Sequence, residues 1–192
     1  GGNGTAFPSW QKTPVVSSSA WDDNTSTTVS LAGTTFKYRG NAVSGFRACI
    51  NGWLTFNTNS LQTSYQSVYL GTYANQLTIA PFWQDMVMTG SSFSNRDNSM
   101  RYQIDGTLGS GSAVITIEWA GMEMYTIPGP NLNFQVKLYE ANNIIEFIYG
   151  NFEAFDGSFN ADYNYGVGYN GNNPTIADPA QRFNMSTGTT AG

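Results

Sequence analysis

Oxygen-bearing side chains recur at every second position in one stretch: Asp156, Ser158, Asn160, Asp162 and Asn164. A loop that wraps round a hard cation such as Ca²⁺ needs this spacing, because its ligands are carboxylate, hydroxyl and amide oxygens. The sixth position is Ala161 instead of Gly, and the twelfth position has no Glu. The alternative is a strand with alternate residues from 161 to 169 on one face and the polar residues towards water. Calcium is the one cofactor that the sequence suggests, and we expect none to be required.

Aromatic side chains beside amide side chains make a second candidate site, because neutral glycans are held by aromatic faces and amide hydrogen bonds. The aromatic residues of this kind in loop-like stretches are Tyr65, Tyr69, Tyr73, Tyr125, Phe155, Phe159 and Tyr163. Exposed tyrosines serve protein interfaces as well. These seven residues are therefore candidate ligand-binding residues, for a glycan or for a protein.

Side chains for catalysis are scarce. The chain has no histidine, which excludes Ser-His-Asp and Cys-His catalysis and the usual zinc sites. Its single cysteine, Cys49, lies in an apolar run, where we expect a small buried hydrophobic residue. Paired carboxylates can cleave glycosides, but Glu118, Glu140 and Glu146 fall at strand positions that a solvated face explains. We therefore expect no enzymatic activity.

Composition limits the partners. Charged residues make up 11% of the 192 residues and the net charge is -5, whereas a nucleic-acid-binding chain needs a basic face. No run reaches the roughly 20 apolar residues of a membrane span. The chain opens GGNGTAFPSW without a signal peptide, so in a secreted protein it would be a mature or excised segment. We expect no nucleic acid and no membrane span.

The elements that position these side chains are strands. Residues 133–150 alternate with a period of two on both sides of Ala141-Asn142-Asn143, which predicts a β-hairpin. Before the turn, one face of the strand carries Phe134, Val136 and Leu138, and Glu140 would be next on that face. After the turn, one face of the second strand carries Ile145, Phe147 and Tyr149.

Further strands follow from shorter runs. Asn51-Gly52 between two apolar runs predicts a second hairpin. The remaining predicted strands are 27–31, 36–40, 77–83, 100–104, 113–119 and 165–169, with a last edge strand near 182–185. We expect the strand over 77–83 to bend or end at Pro81, Asp85 to cap a turn, and 127–130 to be a loop. We expect Trp53, Phe82, Trp83 and Trp119 in the core.

The order of motifs resembles a known module. The pieces that carry the resemblance are Phe36 to Gly40, Ile50 to Phe56, Ala80 to Asp85, Arg101 to Gly106, Ile117 to Trp119, residues 133–150 and Tyr165 to Tyr169. Together they resemble a β-sandwich module of large secreted and cell-surface proteins of Bacteroidetes-type bacteria. They also resemble, more loosely, the NIDO domain of nidogen-like extracellular proteins. The resemblance implies an extracellular adhesion or matrix module with a jelly-roll-like sandwich, and it supplies no catalytic residues.

The sequence thus predicts an all-β protein, an antiparallel sandwich of jelly-roll type with about ten strands. Residues 1–20, rich in Gly, Ser and Pro, would be a flexible arm, and 21–192 a single domain. The function that we expect is a non-catalytic extracellular or cell-surface module for adhesion or scaffolding, which binds partner proteins or matrix. The alternatives are a self-assembling filament or coat subunit that uses the N-terminal arm and a lectin-like carbohydrate-binding module.

Overall fold

A computed structural model describes residues 13–14, 22–59, 77–88, 100–125, 127–152 and 166–169. These residues form thirteen β-strands. The strands are β1 (Thr13–Pro14), β2 (Val29–Ser30), β3 (Lys37–Tyr38), β4 (Asn41–Ala42), β5 (Gly45–Cys49), β6 (Trp53–Thr55), β7 (Thr78–Trp83), β8 (Met86–Met88), β9 (Met100–Asp105), β10 (Val114–Met124), β11 (Ile127–Tyr139), β12 (Ile145–Phe152) and β13 (Gly166–Tyr169). No helix able to cross a membrane is found among the described residues.

The strands form two main antiparallel sheets. A six-stranded sheet has the order β1-β9-β10-β11-β12, with β8 paired to β10 beyond the end of β9. A five-stranded sheet has the order β13-β7-β6-β5-β2, and β3 and β4 form a separate hairpin. Runs of consecutive strands are neighbours in each sheet, so the order is that of two meanders. The predicted all-β antiparallel sandwich is confirmed.

The predicted hairpin over residues 133–150 is present as β11 and β12. Its register pairs Phe134 with Tyr149 and Leu138 with Ile145. Phe134 and Leu138 are completely buried, as the alternation predicts. Asn143 closes the turn with a φ of 60°, a left-handed conformation that Asn tolerates better than most residues.

The core joins the two sheets through aromatic side chains. Trp119 of β10 stacks on Phe134 of β11 with ring centroids 5.2 Å apart, and Phe82 of β7 lies 5.8 Å from Phe134. The Trp119 indole N–H donates a hydrogen bond to the carbonyl oxygen of Cys49 in the opposite sheet at 2.8 Å. The four predicted core aromatics, Trp53, Phe82, Trp83 and Trp119, are at most 8% exposed. Their assignment to the core is confirmed.

The N-terminal part of the chain contacts both sheets. Thr13 and Pro14 pair with Tyr102 and Arg101 at the edge of the six-stranded sheet. Asp22 forms an isolated bridge with Val87 of β8 at the same edge. Farther along, Thr25 bridges Cys49 and β2 pairs with β5 of the second sheet. Thr13 and Pro14 of the predicted arm are therefore part of a sheet, and residues 1–12 and 15–20 lie outside the described residues.

Two strands run through proline-containing stretches. β7 reaches Trp83, the last residue of the predicted strand, so it does not end at Pro81. The pairing of β7 with β6 stops at Ile79, and its pairing with β13 is irregular between Gly166 and Gly168. No hydrogen bond between these strands therefore requires an N–H group at Pro81. Residues 127–130 belong to β11 instead of a loop, because β10 and β11 stay paired as far as Met124 and Ile127 through two register shifts. The predicted strand near 182–185 lies outside the described residues.

Candidate functional site

Most of the sequence-predicted site residues lie outside the described residues. This holds for the proposed calcium ligands Asp156, Ser158, Asn160, Asp162 and Asn164, and for the aromatic residues Tyr65, Tyr69, Tyr73, Phe155, Phe159 and Tyr163. Tyr125 is described. It follows β10, is 54% exposed, and its N–H donates to the Asp85 carbonyl oxygen at 3.1 Å. The ligand-binding role of all these residues stays a prediction.

Asp85 lies beside two aspartates from a distant part of the sequence, Asp22 and Asp23, and the three form an acidic cluster. Carboxylate oxygens of Asp22, Asp23 and Asp85 all lie within 4.8 Å of one another. Asp22 and Asp23 precede β2 and Asp85 joins β7 to β8, so the cluster lies where the N-terminal segment crosses the edge of the sandwich. The side-chain amide of Asn51 donates to Asp23 at 2.9 Å, and its oxygen accepts the N–H of Met86. Asn51 thus attaches the β5–β6 turn to the cluster.

Two carboxyl groups of the cluster, those of Asp22 and Asp85, have raised pKa values. Burial, followed by the neighbouring carboxylates of Asp23 and Asp22, raises the pKa of Asp85 to about 6. Burial and the charge of Asp23 also raise the pKa of Asp22, whose Oδ1 is buried without a hydrogen-bond partner. The predicted role of Asp85 as a turn cap is wrong, because its N–H is capped by the Gln84 side chain and its carboxylate faces Asp22 and Asp23. The arrangement is an acidic cluster in which Asp22 and Asp85 are partly buried and Asp23 is exposed.

A buried glutamate links three loops at the other end of β11. Glu140 is 5% exposed. Its Oε1 accepts the Thr34 hydroxyl at 2.7 Å and the N–H groups of Thr35 and Gly109 at 3.0 and 2.9 Å. Its Oε2 accepts the N–H groups of Gly111 at 3.0 Å and Ala113 at 3.3 Å. The expectation of a solvated face at Glu140 is wrong, because the carboxylate supplies acceptors to backbone groups that would otherwise lack them.

Glu118 is also buried, on the face of the six-stranded sheet opposite to Trp119. Its side chain forms an ion pair of 2.7 Å with Arg101 of β9 and accepts the Gln135 amide of β11 at 2.8 Å. Glu118 is 0% exposed, so the expected solvated face is wrong here as well. Glu146 alone of the three glutamates is exposed, where it accepts the Tyr139 hydroxyl at 2.5 Å. These three glutamates have structural partners.

Cys49 is a buried structural residue, as the apolar run predicts. It is 0% exposed, and burial raises the pKa of its thiol to about 12. A thiol in this environment is not ionised near neutral pH, so it is inert as a nucleophile.

Among the described residues, the outer edge of the six-stranded sheet has backbone groups that point away from its neighbouring strand. β12 is the last strand of this sheet, and no described strand lies on its outer side. The N–H of Tyr139 donates to the carbonyl oxygen of Ile144 at 3.0 Å, which makes these residues a hydrogen-bonded pair. Such pairs alternate in an antiparallel ladder, so Glu146 also points its backbone groups at β11. Ile145 and Phe147 therefore direct their N–H and C=O groups outward.

The side chains along this edge are mostly apolar. Glu146 is the only charged residue in the sequence Ile144-Ile145-Glu146-Phe147-Ile148-Tyr149. Ile144 is 52% exposed and Tyr149 46% exposed. Edge strands are usually protected from pairing by lysine, proline or a bulge, and residues 145–148 pair with β11 in unbroken register without any of these. By contrast, the opposite edge strand, β1, is two residues long and contains Pro14.

One family model matches nearly the whole chain. The family model described as NIDO related matches residues 2–191. No curated protein and no solved structure matches the chain. The match covers the whole set of strands described above, including the hairpin that carries the open edge. The resemblance to NIDO domains is confirmed, and the chain belongs to the NIDO-related family.

Proposed function

We propose that the protein is a non-catalytic extracellular module for adhesion or scaffolding, and that it binds partner proteins by accepting an extended strand at β12. The observation that carries this proposal is the open edge at Ile145 and Phe147, whose backbone groups point away from β11. Strand addition to such an edge is a general mode of protein recognition, in which main-chain hydrogen bonds supply affinity and alternate side chains supply specificity.

Two further features support an interaction role. The family is named for the NIDO domain, which points to an extracellular setting. Among the described residues, the three large hydrophobic side chains that are exposed are Tyr125, Ile144 and Tyr149. Ile144 immediately precedes β12 and Tyr149 lies within it, on opposite faces of the strand, so exposed apolar surface adjoins this strand on both faces of the sheet.

The lectin-like alternative depends on aromatic residues of which Tyr125 alone is described. Its 54% exposure suits a glycan contact, but no second exposed aromatic side chain of the predicted set is described beside it. The edge of β12 therefore supports a protein partner better than Tyr125 supports a sugar.

The test is a binding screen on immobilised extracellular-matrix and cell-surface proteins, with a glycan array run in calcium and in EDTA. The matched variants are Ile148→Glu in β12 and Ile144→Glu in the turn, which make the same chemical change. We expect saturable binding to a protein that Ile148→Glu abolishes and Ile144→Glu retains. Binding to glycans alone, or protein binding that both variants retain, would overturn the proposal.

A further inference from the structure

We propose that the Asn51-Gly52 pair in the β5–β6 turn is a site of spontaneous deamidation, which the native fold blocks and the unfolded chain exposes. Either product of the reaction, aspartate or isoaspartate at position 51, prevents the chain from returning to the native state. The modification therefore makes unfolding irreversible. This inference concerns the turn beside the acidic cluster, and it does not depend on the binding edge at β12.

An asparagine followed by glycine is chemically reactive in an unfolded chain. The deprotonated backbone nitrogen of the glycine attacks the side-chain carbonyl carbon of the asparagine, a C–N bond forms, and the amide nitrogen leaves as ammonia. Water then opens the resulting succinimide ring at one of its carbonyl carbons, which gives aspartate or isoaspartate. Glycine favours the attack because it has no side chain to shield its nitrogen and its backbone is permissive. The chain contains three such pairs, Asn3-Gly4, Asn51-Gly52 and Asn170-Gly171.

The native structure holds both reacting groups of this pair in hydrogen bonds. Asn51 is 0% exposed. Its side-chain amide donates to Asp23 at 2.9 Å, and its side-chain oxygen accepts the Met86 N–H at 2.9 Å. The Gly52 nitrogen, which must lose its proton to react, donates that proton to the carbonyl oxygen of Cys49 at 3.1 Å. Ring closure must turn the amide towards Gly52 and release its nitrogen, so we expect the reaction only after the turn opens.

The main chain of the turn is held against β7, and this contact excludes isoaspartate. The Asn51 carbonyl oxygen accepts the Gln84 N–H at 3.2 Å, and the Gly52 carbonyl oxygen accepts the Phe82 N–H at 3.3 Å. A single carbon atom added at Gly52 would lie 1.8 Å from the Phe82 carbonyl oxygen. Isoaspartate adds a methylene group to the main chain at position 51, and a turn packed this closely on β7 does not accommodate a longer main chain.

The acidic cluster excludes the other product, aspartate. A carboxylate at position 51 has no proton to donate to Asp23, so two acceptor oxygens would face each other where the amide now donates at 2.9 Å. Carboxylate oxygens of Asp22, Asp23 and Asp85 already lie within 4.8 Å of one another. A fourth carboxylate would enter beside them at a fully buried position, where like charges and unpaired charge are costly. Both products therefore destabilise the native turn.

The rate of deamidation in the wild-type chain tests the protection. The protein is incubated in mildly alkaline buffer with and without guanidinium chloride, and modification at each Asn-Gly pair is followed by peptide mapping with mass spectrometry. In denaturant we expect Asn51 to react at a rate similar to those of Asn3 and Asn170, which serve as internal references. In native buffer we expect the rate at Asn51 to fall at least about tenfold below its rate in denaturant, because only the opened fraction reacts. Equal rates at Asn51 in the two conditions would overturn the proposal.

Refolding tests the consequence of the modification. Chains that are partly deamidated in guanidinium chloride are diluted into native buffer, and size-exclusion chromatography separates the folded fraction from unfolded and aggregated chain. We expect chains modified at residue 51 to be depleted at least about tenfold in the folded fraction. Equal proportions of chains modified at residue 51 in the two fractions would overturn the proposal.

Two matched variants test the aspartate product directly. Asn51→Asp creates this product in the β5–β6 turn. Asn143→Asp makes the same change in the exposed β11–β12 turn, where the side-chain oxygen that accepts the Lys37 N–H at 2.6 Å is retained. We expect Asn51→Asp to lower the thermal midpoint by at least about 10 °C or to fail to fold, and Asn143→Asp to change it by less than about 3 °C. An Asn51→Asp variant as stable as Asn143→Asp would overturn the proposal, because deamidation to aspartate would then leave the fold intact.

Discussion

Glu140 and Thr34 lie 106 residues apart in the chain, yet the Glu140 carboxylate accepts the Thr34 hydroxyl at 2.7 Å. The same carboxylate accepts N–H groups of Gly109 and Gly111 in the β9–β10 loop. Asn143, in the adjacent turn, accepts the N–H of Lys37 at 2.6 Å. The β11–β12 turn therefore fixes two loops, the one between β2 and β3 and the one between β9 and β10, and Glu140 is the residue that joins them.

Replacing this carboxylate should destabilise the fold. Glu140→Gln keeps the shape but exchanges one acceptor oxygen for an NH₂ group, which leaves backbone N–H groups buried without acceptors. We expect a loss of about 3 kcal/mol in the free energy of unfolding, measured by urea denaturation. The matched control is Glu146→Gln in the same hairpin, where the glutamate is exposed and the cost should stay below about 1 kcal/mol. Equal losses in the two variants would contradict the role of Glu140.

The same glutamate should make stability depend on acid. Burial by itself raises the pKa of Glu140, but the hydrogen bonds from Gly109, Thr34, Thr35 and Gly111 outweigh it and lower the pKa from 4.5 to about 2. A lowered acid pKa contributes stability that is present above pH 4.5 and lost as the pH falls towards about 2. The stability gap between wild type and Glu140→Gln should therefore close over this range. A gap that does not change between pH 5 and pH 2, measured by urea unfolding at about these values, would exclude the carboxylate charge as its cause.

Two glycines with similar backbone angles should tolerate alanine very differently. Gly52 has a φ of 76°, and a Cβ there would lie 1.8 Å from the Phe82 carbonyl oxygen. Gly111 has a φ of 77° with nothing within 4 Å of its Cβ position. Gly111→Ala should cost about 1 kcal/mol from backbone strain alone. Gly52→Ala must also separate the β5–β6 turn from β7, so we expect a loss of more than about 3 kcal/mol or failure to fold. The thermal midpoints of Gly52→Ala and Gly111→Ala, measured side by side, test this difference in stability.

The sequence predicts contacts that are local and misses those that depend on strand order. The β11–β12 hairpin was predictable because Phe134 and Leu138 alternate within one strand, and the β5–β6 turn because Asn51-Gly52 carries its own conformational preference. Alternation also places Glu140 on the inward face. Its hydrogen-bond partners belong to loops that are distant in the sequence. Without the strand order these partners cannot be identified, so the sequence alone suggests that the Glu140 carboxylate is solvated. Asp22 and Asp85 show the same limit, since each resembles an ordinary turn aspartate by itself.

Removing both partners of the ion pair between Arg101 and Glu118 should destabilise the protein less than removing Arg101 alone. Glu118 is completely buried, whereas the Arg101 side chain is 27% exposed. Arg101→Met leaves a buried carboxylate without its cation, which costs about 3 to 5 kcal/mol. Adding Glu118→Met removes that uncompensated charge, so the double variant should be more stable than Arg101→Met alone. A double-mutant cycle by urea denaturation measures this coupling, and a double variant less stable than either single variant would refute it.

The acidic cluster should destabilise the native state near neutral pH. The pKa of Asp85 is raised from 3.8 to about 6 by burial and by Asp23 and Asp22. A raised acid pKa contributes stability that is present below pH 3.8 and lost as the pH rises through about 6. Asp85→Asn removes one of three neighbouring carboxylates and should therefore stabilise the protein by about 1 kcal/mol at about pH 7.5, a value that allows for solvent screening.

The pH profile of this variant separates charge repulsion from packing. As the pH falls below about 4, Asp85 is protonated in the folded protein, and an asparagine at this position then resembles the neutral acid in shape and charge. The thermal midpoints of wild type and Asp85→Asn should therefore converge in acid, diverge as the pH rises from about 4 to about 6, and keep a constant difference above that range. Asp105→Asn makes the same change in charge at an exposed aspartate and should show no such divergence. A constant difference between wild type and Asp85→Asn across the whole range would mean that the three carboxylates do not repel one another in the folded protein.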